Sequence, residues 1–139
     1  MITISSNDSS LIINHSKSVL ANLIAVYVFG SRVQGTASAE SDLDVAVLVA
    51  GGVAPVQLWQ LSQQLADDLH CEVDVLDLRA SSTVMQYQVI TTGRLLWGDS
   101  LATGLFECFV LSEKTALDTA RAALLADIYK TGKIYGEKG

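Results

Sequence analysis

The sequence predicts an α/β fold of the α+β kind: a small mixed sheet with helices on one side. Short runs rich in β-branched and aromatic residues alternate with longer stretches whose apolar residues recur at helical spacing. Glycines, Ser/Asp clusters and a single proline punctuate the changes between them. Half of the 139 residues are hydrophobic and 17% are charged, a balance that provides a core and argues against a disordered chain.

The elements follow in order. Residues 1–9, rich in Ser, Asn and Asp, read as frayed. From Ser10 to Leu23 the residues Leu11, Ile12, His15, Val19, Leu20 and Leu23 recur at helical spacing, with Ser9 or Ser10 as N-cap. Ile24 to Phe29 is a buried strand stopped by Gly30, and residues 30–41, small and polar, form a loop. Asp42 to Val49 alternates as a second strand and ends at Gly51-Gly52. Pro55 opens a helix whose Leu58, Leu61, Leu65 and Leu69 share one face. Glu72 to Leu78 is a third strand. A helix from Ser82 to Thr92 closes at Gly93, Arg94 to Trp97 is a fourth strand, and residues 99–130 form a C-terminal helical region. No internal repeat or linker divides the sequence, so residues 1–139 are read as a single domain.

Net charge is -6 with a pI near 4.6, which disfavours a long nucleic acid as ligand, because gripping a polyanion requires clustered Lys and Arg. Cys71 and Cys108 are far apart and lack zinc-ligand spacing, so both are expected to be buried reduced thiols. His15 and His70 likewise have no ligand-spaced neighbour and are read as structural. No apolar run approaches the ~20 residues of a membrane span, and the N-terminus lacks a basic region followed by an apolar one. The expectation is a cytoplasmic chain without a membrane partner.

The chemistry lies at the strand ends. Alternation sends Asp42 and Asp44 to one side of the second strand, while Leu43, Val45 and Val47 point into a core. Two carboxylates sharing a half-buried face repel and are costly to desolvate, a cost that a divalent cation offsets; hard oxygen ligands favour magnesium. Asp74, flanked by Val73 and Val75, points to the open face and completes a three-carboxylate cluster if the third strand pairs beside the second. Asp77 has the opposite parity and is read as a turn or capping residue. Gly30 allows close backbone approach, and Ser31 offers a hydroxyl and an N–H to phosphate oxygens. Arg32 is the adjacent cation, with Arg79 and Arg94 as further candidates to neutralise a triphosphate.

Gly30-Ser31, ten intervening residues, then Asp42-Leu43-Asp44, with Asp74 in the next apolar strand, resembles the signature of the DNA polymerase β-like nucleotidyltransferase superfamily. The stretch GTASAESDLDVAVLV looks like its small members, the minimal nucleotidyltransferases that form the antitoxin half of HEPN–MNT toxin–antitoxin pairs. The resemblance spans Tyr27 to Leu78, with RLLWG as weaker support. It implies the polymerase β-like fold, ATP as substrate, two Mg2+ ions held by Asp42, Asp44 and Asp74, and nucleotide contacts from Gly30, Ser31, Arg32 and Ser41. It also implies a two-metal transfer of AMP, with Asp74 as candidate general base, onto a tyrosine of a cognate HEPN ribonuclease toxin. The shortness of the region after the sheet agrees with an acceptor that brings its own binding surface. Two other readings compete: an antitoxin that neutralises by contact alone, and a transferase for a small molecule of the antibiotic type.

Overall fold

The computed structural model describes residues 4–30 and 42–131. Helix α1 spans Ser6–Val19; the Ser5 hydroxyl caps it by accepting from the Asp8 N–H at 3.1 Å. Asp8 in the first turn and Lys17 in the last complement the helix dipole. The helix therefore starts about one turn earlier than its apolar spacing suggests. A polar segment read as frayed holds the cap because Ser5 satisfies an otherwise orphaned N–H. A turn through Asn22, at φ 61°, leads into strand β1, Leu23–Phe29.

Strand β2 is Leu43–Val49, helix α2 Pro55–Leu69, strand β3 Val73–Asp77, helix α3 Thr83–Thr92, strand β4 Arg94–Gly98 and helix α4 Ser100–Thr131. The sheet order is β3-β2-β1-β4. β1 runs antiparallel to β2 and β4, whereas β3 lies parallel to β2. A parallel neighbour needs a crossover, which α2 supplies. Pro55 opens α2 and the Gln57 side chain accepts from the Ala54 N–H at 3.2 Å, while His70 ends it in the left-handed conformation.

The mixed sheet stands as expected, but its helices cover both faces rather than one. Ile12 of α1 and Leu61 and Leu65 of α2 pack on Val26, Val28, Leu43, Val45, Val47, Val49 and Val73. On the opposite face, Val89 of α3 and Phe106 and Val110 of α4 pack on Ala25, Tyr27, Ala46 and Leu48. The physical reason is visible in the strands: Ala25 to Val28 and Val45 to Val49 are buried without alternation, the mark of a strand covered on both sides. Cys71 is half-buried but Cys108 is exposed, contrary to the expectation for both. Cys108 lies between Phe106 and Phe109 in sequence, yet each helical step turns ~100° and carries it to the solvent side. Among the described residues, no helix is long and apolar enough to cross a membrane.

Candidate active site

Two pairings build the site. β1 places Phe29 beside Asp44, and β3 places Asp74 on the other flank of Asp44. The register is pinned at both ends: Leu43 N–H donates to the Glu72 carbonyl and Leu78 N–H to the Val47 carbonyl, each at 2.9 Å. A slip of one residue would turn every side chain to the wrong face. Leu43, Val45 and Val73 enter the core under α1 and α2, so Asp44 and Asp74 project together from the other face.

Asp44 is half-buried, whereas Asp42 and Asp74 are exposed. Burial first, then the charge of Asp74, then that of Asp42, hold the Asp44 carboxyl above its ordinary range. Among the described residues, no three His, Cys, Asp or Glu side chains close into a metal-holding group. Asp44 and Asp74 stand side by side, with Asp42 acting on Asp44 from the strand's exposed entry. Like charges on neighbouring strands repel, and a hard cation would relieve the repulsion that raises Asp44. This oxygen-only donor set fits magnesium.

Gly30 adjoins the same carboxylate. Its φ is +87°, and a Cβ built there would run into Asp44 Oδ2 and lie 3.2 Å from Asp44 Cγ. Only glycine combines that conformation with that space.

Ser31, Arg32 and Ser41 lie outside the described residues. The two other cations proposed for a triphosphate are not brought to the carboxylates. Arg79 follows β3 at the opposite end of β2, where its Nε donates to the Val49 carbonyl at 3.2 Å. Arg94 pairs with Val28 on β4, sharing the α1 face, and its Nη2 donates to the Ile4 carbonyl at 3.2 Å. Asp77 has the opposite parity to Asp74, as alternation requires, and its backbone carbonyl accepts from the Ser81 hydroxyl at 2.9 Å. His15 bridges helices, Nδ1 to Gln64 Oε1 at 3.0 Å and Nε2 to Asp68.

One contact had no sequence signal. The Tyr27 hydroxyl donates to Glu107 Oε2 at 2.6 Å, tying α4 to the strand that ends at Gly30. Burial, then the bond to Glu107, then its charge, hold the phenol far above its ordinary range, so it stays a donor. The partners are 80 residues apart, beyond any local pattern.

A family described as polymerase beta, nucleotidyltransferase, matches residues 12–101, which contain the whole of this carboxylate row. The chain belongs to this nucleotidyltransferase family. Its similarity to individual nucleotidyltransferases is also extensive. It is 39% identical over 109 residues to protein adenylyltransferase MntA of Shewanella oneidensis, covering 78% of each chain. It resembles a chain in a crystal structure of a toxin–antitoxin with AMP-PNP, at 37% identity and TM-score 0.77, over 87% of this chain and 98% of that one. It also resembles a chain in the structure of a tri-AMPylated Shewanella oneidensis HEPN toxin in complex with MNT antitoxin. There identity is 33% and TM-score 0.73, over 88% of this chain and 97% of that one.

Proposed function

We propose that this nucleotidyltransferase is an antitoxin-type protein adenylyltransferase that moves AMP from ATP to a tyrosine hydroxyl of a cognate HEPN ribonuclease toxin. The observation that carries the reading is Asp44 flanked by Asp74 on one open sheet face and abutted by Gly30. The relatives supply the rest: an adenylyltransferase by name, and toxin–antitoxin complexes with an ATP analogue and with AMPylated toxin.

Asp42, Asp44 and Asp74 would hold two magnesium ions. When bound, these ions would neutralise triphosphate charge and ease ionisation of the attacking hydroxyl. The chain's own residues do the remaining work. Gly30 leaves the Asp44 carboxylate unobstructed on its β1 side. The packed strands hold the carboxylates in place, and such positioning counts heavily in phosphoryl transfer. In this reading Asp74, exposed beside Asp44, takes the proton from the tyrosine oxygen as that oxygen attacks the α-phosphorus. The α-phosphorus bond to the bridging oxygen breaks and pyrophosphate leaves. Ser31, Arg32 and Ser41 belong to the nucleotide side of this reading.

The test is to mix the purified chain with ATP, magnesium and a cognate HEPN-type toxin, then weigh the toxin. A gain of one or more AMP units on a tyrosine is expected. An unchanged mass overturns the proposal, and ATP turnover with small-molecule acceptors alone would reassign the substrate.

A further inference from the structure

Two glycines bear on the end of β1, for different reasons. Gly30 has a positive φ, which favours glycine whatever surrounds it. Gly93 has φ −84° and ψ −176°, extended backbone that any residue adopts. Conformation therefore does not call for glycine at position 93, and the reason is space. A Cβ built there would lie 2.5 Å from the Val89 carbonyl oxygen, 2.8 Å from the Val28 carbonyl oxygen and 3.1 Å from Phe29 Cβ. The two oxygens belong to the backbone and cannot swing aside as a side-chain tip can.

The close approach follows from the connection. Gly93 alone joins α3, which ends at Thr92, to β4, which starts at Arg94. Its N–H still donates to the Val89 carbonyl at 2.9 Å, while Arg94 already pairs with Val28. A chain that leaves a helix and enters a sheet within one residue brings the helix end down onto the neighbouring strand. That strand is β1, and the residues against Gly93 are Val28 and Phe29. Phe29 pairs across to Asp44 and packs on the α3 and α4 side, the face from which Asp44 projects. Next in the chain comes Gly30, against the Asp44 carboxylate. One unbroken row of contacts thus runs from the end of α3 through the end of β1 to the central carboxylate.

We propose that Gly93 is a positioning residue for AMP transfer: it lets the end of α3 bear on Phe29, and so fixes the end of β1, with Gly30, against Asp44. This role rests on the transfer reaction proposed for the chain and adds to it a residue outside the carboxylate row.

The test compares Gly93→Ala with Gly98→Ala, at equal folded concentration, by initial rates of AMP addition to a cognate HEPN-type toxin. Gly98 is the matched control. It lies at the other end of β4, across from Ala25, and a Cβ there would stand 2.6 Å from Thr103 Oγ1. Gly93→Ala should lower kcat by about tenfold to 100-fold, since a displacement of about 1 Å costs positioned groups that much. Both KM values should stay as they are, because binding is not what the contact serves. Gly98→Ala should lose stability but keep the native kcat. The Gly30 amide resonance should move in Gly93→Ala and hold in Gly98→Ala. If Gly93→Ala does not fold, Phe29→Leu, which takes the ring from the same contact, decides. Its kcat should fall likewise and recover in Phe29→Tyr, which keeps the ring. Native kcat in Gly93→Ala, an equal fall in Gly98→Ala, or native kcat in Phe29→Leu would each overturn the proposal and leave the transfer reaction standing. A native chain that adds no AMP overturns the transfer reaction, and this role with it.

Discussion

Gly30 stands against the Asp44 carboxylate: with φ at +87°, a Cβ at position 30 would run into Asp44 Oδ2. The end of β1 and the centre of the carboxylate row thus occupy one small space. Gly30→Ala is expected to cost about 1–3 kcal/mol, from the positive φ and the collision. Transfer should fall further, on the order of 100-fold, since a displacement of about 1 Å has that effect on positioned groups. Urea unfolding and initial rates check the two parts. In an Asp44→Ala background the collision disappears, so the stability cost of Gly30→Ala should shrink.

Asp44 makes the opposite trade. Its carboxyl is held above its ordinary range by burial, Asp74 and Asp42, so its charged form is disfavoured in the folded chain. For a raised group, the stabilising contribution is complete below the unfolded value and is lost as pH rises through the folded value. Without magnesium, Asp44→Asn should therefore be more stable than the native chain at neutral pH. The difference should vanish as pH falls below the ordinary carboxylate value. Thermal unfolding of both proteins from pH 3 to pH 8 measures this, and transfer by Asp44→Asn should be absent.

Asp74 is exposed and next to Asp44, and in the proposed reaction it takes the proton of the incoming hydroxyl. Asp74→Asn should lower kcat by about 100-fold to 10,000-fold. An exposed position predicts little change in stability, so unfolding should stay within about 0.5 kcal/mol of the native chain.

Tyr27→Phe keeps the buried ring but removes the donor to Glu107. The half-buried carboxylate then loses a charge-assisted bond, and the fold should lose about 1–3 kcal/mol. The urea midpoint of the variant reports it.

Part of this was written in local pattern. Alternation alone assigns Asp44 and Asp74 to the face opposite Leu43 and Val73, because strand period is independent of tertiary context. The parallel β2–β3 pairing that makes them neighbours follows from the helical crossover between them. Other features depend on distant partners. Cover on both faces was missed: the buried runs of β1 and β2 carry its mark, but the sequence reading sets the helices on one side, because which face each helix takes depends on contacts far apart in the sequence. Arg79 is close to Asp74 in sequence and at the other end of the sheet in space, since β3 carries the chain away before Arg79 is reached. The Tyr27–Glu107 bond joins elements that no window of sequence contains together.

The carboxylate row is most directly tested by comparing the native chain with the Asp42→Ala, Asp44→Ala double variant, at equal folded concentration. Intact-mass measurement follows AMP addition to a cognate HEPN-type toxin with ATP and magnesium. The native chain should add AMP to a tyrosine, and the double variant should bind the toxin yet leave its mass unchanged. AMP addition by the double variant at the native rate would contradict the account.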